Sequence, residues 1–159
     1  MSLVTIGMCE MAVSTDTEQT LVTYSLGSCV GVTLFDPEAG VGGMIHCMLP
    51  VSKTDPEKAK ARPAMFTDTG FVELLNEVLA KGAQMSRLVV KVAGGGAPMD
   101  SAGRFKIGER NYAVLRKILW KNNLLIAGED VGGTKPRTMR IQMTDGTVTV
   151  SSGGEVTEL

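Results

Sequence analysis

Across residues 30–35 apolar side chains recur at every second position, with Val30, Val32 and Leu34 on one face. A second apolar run, 41–49, follows the turn-forming stretch Asp36-Pro37-Glu38-Ala39-Gly40, and the two runs together predict a β-hairpin. Earlier in the chain, the β-prone runs 3–8 and 19–25 are separated by the polar Ser14-Thr15-Asp16-Thr17, which predicts a hairpin or meander. The period changes beyond the 50–63 loop. Phe71, Leu74, Leu75, Val78 and Leu79 recur at helical spacing behind Thr67 as the candidate N-cap, with Asp68 in the first turn and Gly82 as the stop. Residues 87–93 read as a buried strand running into Gly94-Gly95-Gly96-Ala97-Pro98, and helical spacing returns at Tyr112, Leu115, Ile118 and Leu119. Strands are predicted again over 124–129, 138–143 and 147–150, with a Gly132-Gly133 loop after the first and Asp145-Gly146 between the last two.

An order that is β-rich at both ends with two helices between favours an α+β layered sandwich of mainly antiparallel strands, with the helices packed outside, over a doubly wound parallel sheet. The alternating middle leaves room for one parallel pair. At 159 residues the chain is expected to form a single domain over 1–159, and its polar end, SSGGEVTEL at 151–159, is expected to fray.

Composition narrows the function. Apolar residues at 43% and charged residues at 21% suit a globular protein, while few aromatics and ten methionines point to a core of aliphatics and Met. A formal net charge of −1 with scattered cations leaves no electrostatic footprint for nucleic acid. No apolar run reaches the ~18 residues of a membrane span and the first residues lack a basic segment, so a cytoplasmic location without membrane insertion is expected. A monomer is expected because no heptad run is present. Cys9, Cys29 and Cys47 are odd in number and form no C-x-x-C pair, so three free thiols must be explained by packing or by chemistry.

One of them sits where chemistry is plausible. A two-residue link at Pro37-Glu38 would place Asp36 opposite Ala39, Leu34 opposite Val41, and Cys29 opposite His46, the sole histidine. Such partners hold their Cβ atoms about 4.5–5.5 Å apart, within reach of a thiol–imidazole contact that activates the sulfur as a nucleophile. Gly27 and Ser28 are candidate oxyanion or substrate-positioning residues, since glycine lets backbone approach closely and the Ser28 or Cys29 amide can donate to a developing oxyanion. Thr23 is a nearby hydroxyl for fixing the imidazole tautomer. Cys47 follows His46 directly and so points to the opposite strand face, against a shared metal site; no metal or cofactor is called for. Glu109 and Glu129 read as solvated loop charges, the methionines as core filler, and the glycine loops at 94–96 and 132–133 as tight turns able to rim a cleft.

The motifs TYSLGSCVGV (23–32), GGMIHCMLP (42–50), FTDTG (66–70), KVAGGGAPM (91–99), IGERN (107–111) and GEDVGG (128–133) resemble those of the chemoreceptor glutamine deamidases, the CheD family. The resemblance spans roughly residues 6–150, and the polar 98–106 loop looks variable. It implies a fold similar to toxin-type cysteine deamidases, with Cys29 as nucleophile, His46 as base and Thr23 completing a triad. It also implies a cysteine hydrolase that converts selected glutamines of methyl-accepting chemotaxis receptors to glutamate, and a CheC phosphatase as a possible partner. Alternatives are a transglutaminase or receptor methylesterase using the same triad, or a binding module that stimulates a CheC-type phosphatase.

Overall fold

Every residue of the two strands in the expected central hairpin, β4 (Val30–Asp36) and β5 (Val41–Cys47), is buried. Alternation by itself demands burial of one face only. In the computed structural model, which describes residues 2–98 and 106–159, the hairpin lies in a sheet covered on both sides. That central sheet has the order β2-β5-β4-β6-β7, with β2 at Glu10–Ser14, β6 at Val89–Gly94 and β7 at Ile126–Val131. The outer sheet has the order β1-β3-β8-β9-β10, built from Ser2–Thr5, Gln19–Leu26, Arg137–Gln142, Val148–Ser152 and Glu155–Glu158. Helices α1 (Pro56–Ala61), α2 (Thr67–Ala80) and α3 (Ile107–Lys121) complete the described elements apart from short 3₁₀ turns. The result is the expected α+β layered sandwich, and β6 and β7, flanking α3, form a parallel pair.

Two cores sandwich the central sheet. On one face Val30, Val32, Leu34, Ile45 and Val92 meet Phe71, Leu74 and Val78 of α2 and Leu115 and Leu119 of α3. On the other, Phe35, Met44 and Ala93 meet Leu21, Leu26, Met139 and Ile141 of the outer sheet, so buried methionines fill the sheet–sheet seam.

Several expectations are corrected. The 3–8 and 19–25 runs are not a hairpin: β1 pairs parallel with β3, whereas β2 leaves for the edge of the central sheet and pairs with β5. The switch is made at a tight turn, where Cys9 takes a left-handed φ of 65°, the Glu10 amide donates to the Gly7 carbonyl at 3.2 Å, and the Gly7 amide donates to Glu10 Oε1 at 2.7 Å. The end expected to fray is the edge strand β10, antiparallel to β9. Thr67 does not cap α2; its hydroxyl faces inward, onto Leu49 and Asn111.

The register of the central hairpin also differs. Asp36 pairs with Val41, Leu34 with Gly43 and Gly31 with His46, so the link has four residues and not two. Asp36, wholly buried, causes this: its Oδ1 accepts from the Glu38 and Ala39 amides at 3.0 and 3.1 Å, and its carbonyl accepts from Gly40 at 2.9 Å. Gly40 supplies the left-handed φ of 68° that closes the loop. The carboxylate is held further by the Gln84 amide at 2.8 Å and by Arg87.

Candidate active site

His46 lies on the β5 face that looks toward the outer sheet, between Glu10 of β2 and Gly31 of β4. Cys29 precedes β4 by one residue and Gly31 by two. It is therefore diagonal to His46 instead of directly opposite, but on the same face, because the register shift of two residues preserves the alternation. Thr23 reaches the imidazole from β3 of the outer sheet. Thiol, imidazole and hydroxyl thus gather at the seam of the two sheets, with Cys29 8%, His46 3% and Thr23 0% exposed.

The protons at this seam can be assigned by counting. The Thr23 hydroxyl has one hydrogen and donates it to the Ile6 carbonyl at 2.7 Å. It can then only accept from His46 Nδ1, which lies 2.7 Å away, so Nδ1 carries the imidazole proton and Nε2 the lone pair. Nε2 is buried and has no hydrogen-bond partner among the described residues. Burial lowers the imidazole pKa to about 4. Burial likewise pushes the Cys29 thiol up to about 11, with Cys9 adding to the shift and a hydrogen bond from Cys29's own amide opposing it. Both groups rest uncharged at neutral pH, and the thiol contacts Met8 Sδ at 3.8 Å. Met8 is itself half exposed, on the turn it shares with Cys9.

The loop carrying Cys29 is fastened carbonyl by carbonyl. Gly27 accepts from the Gly96 amide at 2.8 Å, Ser28 from Asn111 Nδ2 at 2.9 Å, and Cys29 from the Gly95 amide at 2.8 Å. The Gly27 amide is turned onto Ser25 at 3.0 Å. Gly94 must be glycine here: its φ is 103° and a Cβ would run into the Cys29 carbonyl. The Gly94 carbonyl accepts from the Gly132 amide at 2.9 Å and from Arg137 of β8 at 3.4 Å, and Arg137 is paired with Asp130. Both glycine loops therefore help to hold the segment at Cys29 in place.

Of the other thiols, Cys47 is fully buried in the helix-side core, and burial raises the pKa of Cys9 despite nearby Arg62. Glu129 receives the Tyr112 hydroxyl, away from the thiol. A depression of about 440 Å³ is lined by Ile6, Cys9, Glu10, Arg62 and Glu73 and adjoins the site through Ile6 and Glu10.

Sequence reading missed Asn111 and Met8. Asn111 lies four residues before Leu115 and eight before Leu119, on the buried stripe of α3, and a polar residue in such a stripe is the signal that finds it. Met8 carries no comparable signal.

A two-sheet α+β domain with a buried Cys–His–Thr cluster at its seam defines the class, and the comparisons define the family within it. The family described as CheD chemotactic sensory transduction matches residues 48–152. A protein of Solibacter usitatus named "Probable chemoreceptor glutamine deamidase CheD" is 45% identical over all of this chain and 94% of its own length. One of Syntrophus aciditrophicus named "Probable chemoreceptor glutamine deamidase CheD 1" is 45% identical over 98% of both chains. The chain belongs to the CheD family.

Proposed function

We propose that this protein is a chemoreceptor glutamine deamidase that uses Cys29 as nucleophile, His46 as proton carrier and Thr23 as the group that fixes the imidazole. The observation that carries the reading is the proton arrangement at the seam: Nδ1–H is committed to Thr23, leaving a buried, unpartnered Nε2 on the same face as the Cys29 thiol. Relatives named for this activity match the whole chain.

The chemistry follows from those atoms. As Cys29 Sγ bonds to the glutamine side-chain carbonyl carbon, its proton passes to His46 Nε2 and the carbonyl π pair moves to oxygen. Collapse of the tetrahedral adduct breaks the C–N bond, and the leaving nitrogen takes the proton from Nε2 to depart as ammonia. Water then attacks the thioester, giving its proton to the same Nε2, and the sulfur leaves as thiol with that proton restored. Burial keeps the imidazole neutral with Nε2 open to a proton, and because it disfavours a separated thiolate–imidazolium pair the proton moves as the S–C bond forms. The depression beside Ile6 and Glu10, lined also by Arg62 and Glu73, offers polar contacts to a helix bearing the glutamine.

The test is incubation of a receptor cytoplasmic fragment with wild type and with Cys29→Ala, read by peptide mass spectrometry and ammonia assay. Conversion of particular glutamines to glutamate by wild type alone is expected. Methanol release from a methylated fragment without ammonia would instead assign an esterase.

A further inference from the structure

Asn111 is 0% exposed, sits in the apolar stripe of α3, and makes hydrogen bonds through both ends of its amide. Its Nδ2 donates to the Ser28 carbonyl at 2.9 Å and to the Met48 carbonyl at 3.1 Å. Its Oδ1 accepts from the Thr67 hydroxyl at 3.2 Å, which also reaches the Leu49 carbonyl at 3.1 Å. Two carbonyls on one side require two donors, which fixes the orientation of the amide. One side chain on α3 thereby ties the residue before the nucleophile to the segment that follows His46 by two residues.

The Ser28 carbonyl and the Cys29 amide belong to one planar trans peptide, so they point in opposite directions. Holding the carbonyl toward α3, on the helix side of the central sheet, turns the N–H the opposite way, toward the seam. An oxygen on the carbon that Sγ attacks would develop its charge beside that hydrogen. The Gly27 amide is committed to Ser25 and is not available for this role.

We propose that Asn111 is a positioning residue which, by holding the Ser28 carbonyl, aims the Cys29 amide as the donor to the oxyanion formed during acyl transfer. The proposal rests on the deamidase reading only for the identity of the attacked carbonyl. Thiol alkylation builds no oxyanion, so the two chemistries of Cys29 separate this role from a general structural one.

The experiment compares acylation of Cys29 by p-nitrophenyl acetate with its alkylation by iodoacetamide, in wild type and Asn111→Ala, each read by intact-protein mass. The expected result is an acylation rate about 100-fold lower in the variant with alkylation changed by less than about threefold, and a fall in deamidation kcat at nearly constant KM. Parallel loss of both rates, or loss of neither, overturns the proposal. Should Asn111→Ala not fold, Thr67→Val, which leaves both Nδ2 donors but unfastens Oδ1, is expected to lower the acylation-to-alkylation ratio by a smaller factor; an unchanged ratio overturns it equally. A wild-type protein that is acylated normally yet converts no receptor glutamine counts against the deamidase reading and leaves the ratio to judge Asn111.

Discussion

At the scale of single residues, the proton held between Thr23 and His46 decides what the site can do. Thr23→Val removes the acceptor of the Nδ1 proton and strands a buried N–H, so kcat is expected to fall about 10- to 100-fold, whereas Thr23→Ser restores the acceptor and most of the activity. Steady-state kinetics on the receptor fragment checks both. The pH profile of kcat/KM is a second check. Because the imidazole pKa is lowered to about 4, the base stays neutral well below its ordinary range, and because the thiol is raised to about 11 it keeps its proton until strongly alkaline pH. Activity is expected to be level across neutral pH and to fall only as acid protonates His46 near pH 4; an acid limb near the ordinary histidine value would contradict a buried neutral base. Cys29 and His46 stand out as candidates in the sequence because cysteine and histidine are scarce in this chain and flank one hairpin, whereas Thr23, one hydroxyl among many, is singled out by the family resemblance and not by spacing. Asn111 was not, because its role depends on α3 packing beside a loop more than eighty residues away.

At the scale of elements, the central hairpin shows how a side chain sets register. Alternation in β4 and β5 was readable and correct as to face, but the turn length was not, since it depends on where a buried carboxylate finds its donors. The Arg87 guanidinium, ahead of the opposing effect of burial, holds the Asp36 carboxyl well below the usual carboxylate range, with backbone amides assisting. A depressed pKa means that this contribution is complete above the unfolded carboxyl value, ~3.9, and is lost as pH falls from there toward the folded value. Asp36→Asn is expected to lower stability by about 2–4 kcal/mol at neutral pH, and the gap in Tm between the two proteins is expected to close as pH drops below about 4. Thermal melts across pH measure this directly. A gap that persists in acid would place the stabilisation in the shape of the turn and not in the charge. Partners likewise explain Thr67, the first residue of α2, whose hydroxyl turns inward because the Leu49 carbonyl and Asn111 Oδ1 are acceptors there.

At the scale of the whole molecule, layering creates the site. One sheet supplies the thiol and imidazole, the other supplies the hydroxyl, and the helical layer behind anchors the nucleophile loop through α3. The class was legible because strand and helix periods differ and the helices fall between β-rich ends. Strand order was not legible, because the parting of β1 and β2 into different sheets involves a left-handed turn residue, Cys9, and pairing with strands that are not their neighbours in the chain, β3 for β1 and β5 for β2. The central claim, that Cys29 carries the acyl group of a glutamine side chain, is tested most directly by trapping that intermediate. Wild-type protein mixed with a glutamine-containing receptor peptide, acid-quenched at short times and read by intact and fragment mass spectrometry, is expected to carry an adduct of the peptide less one ammonia on Cys29, absent from Cys29→Ala. Conversion of glutamine to glutamate by Cys29→Ala at the wild-type rate would contradict it.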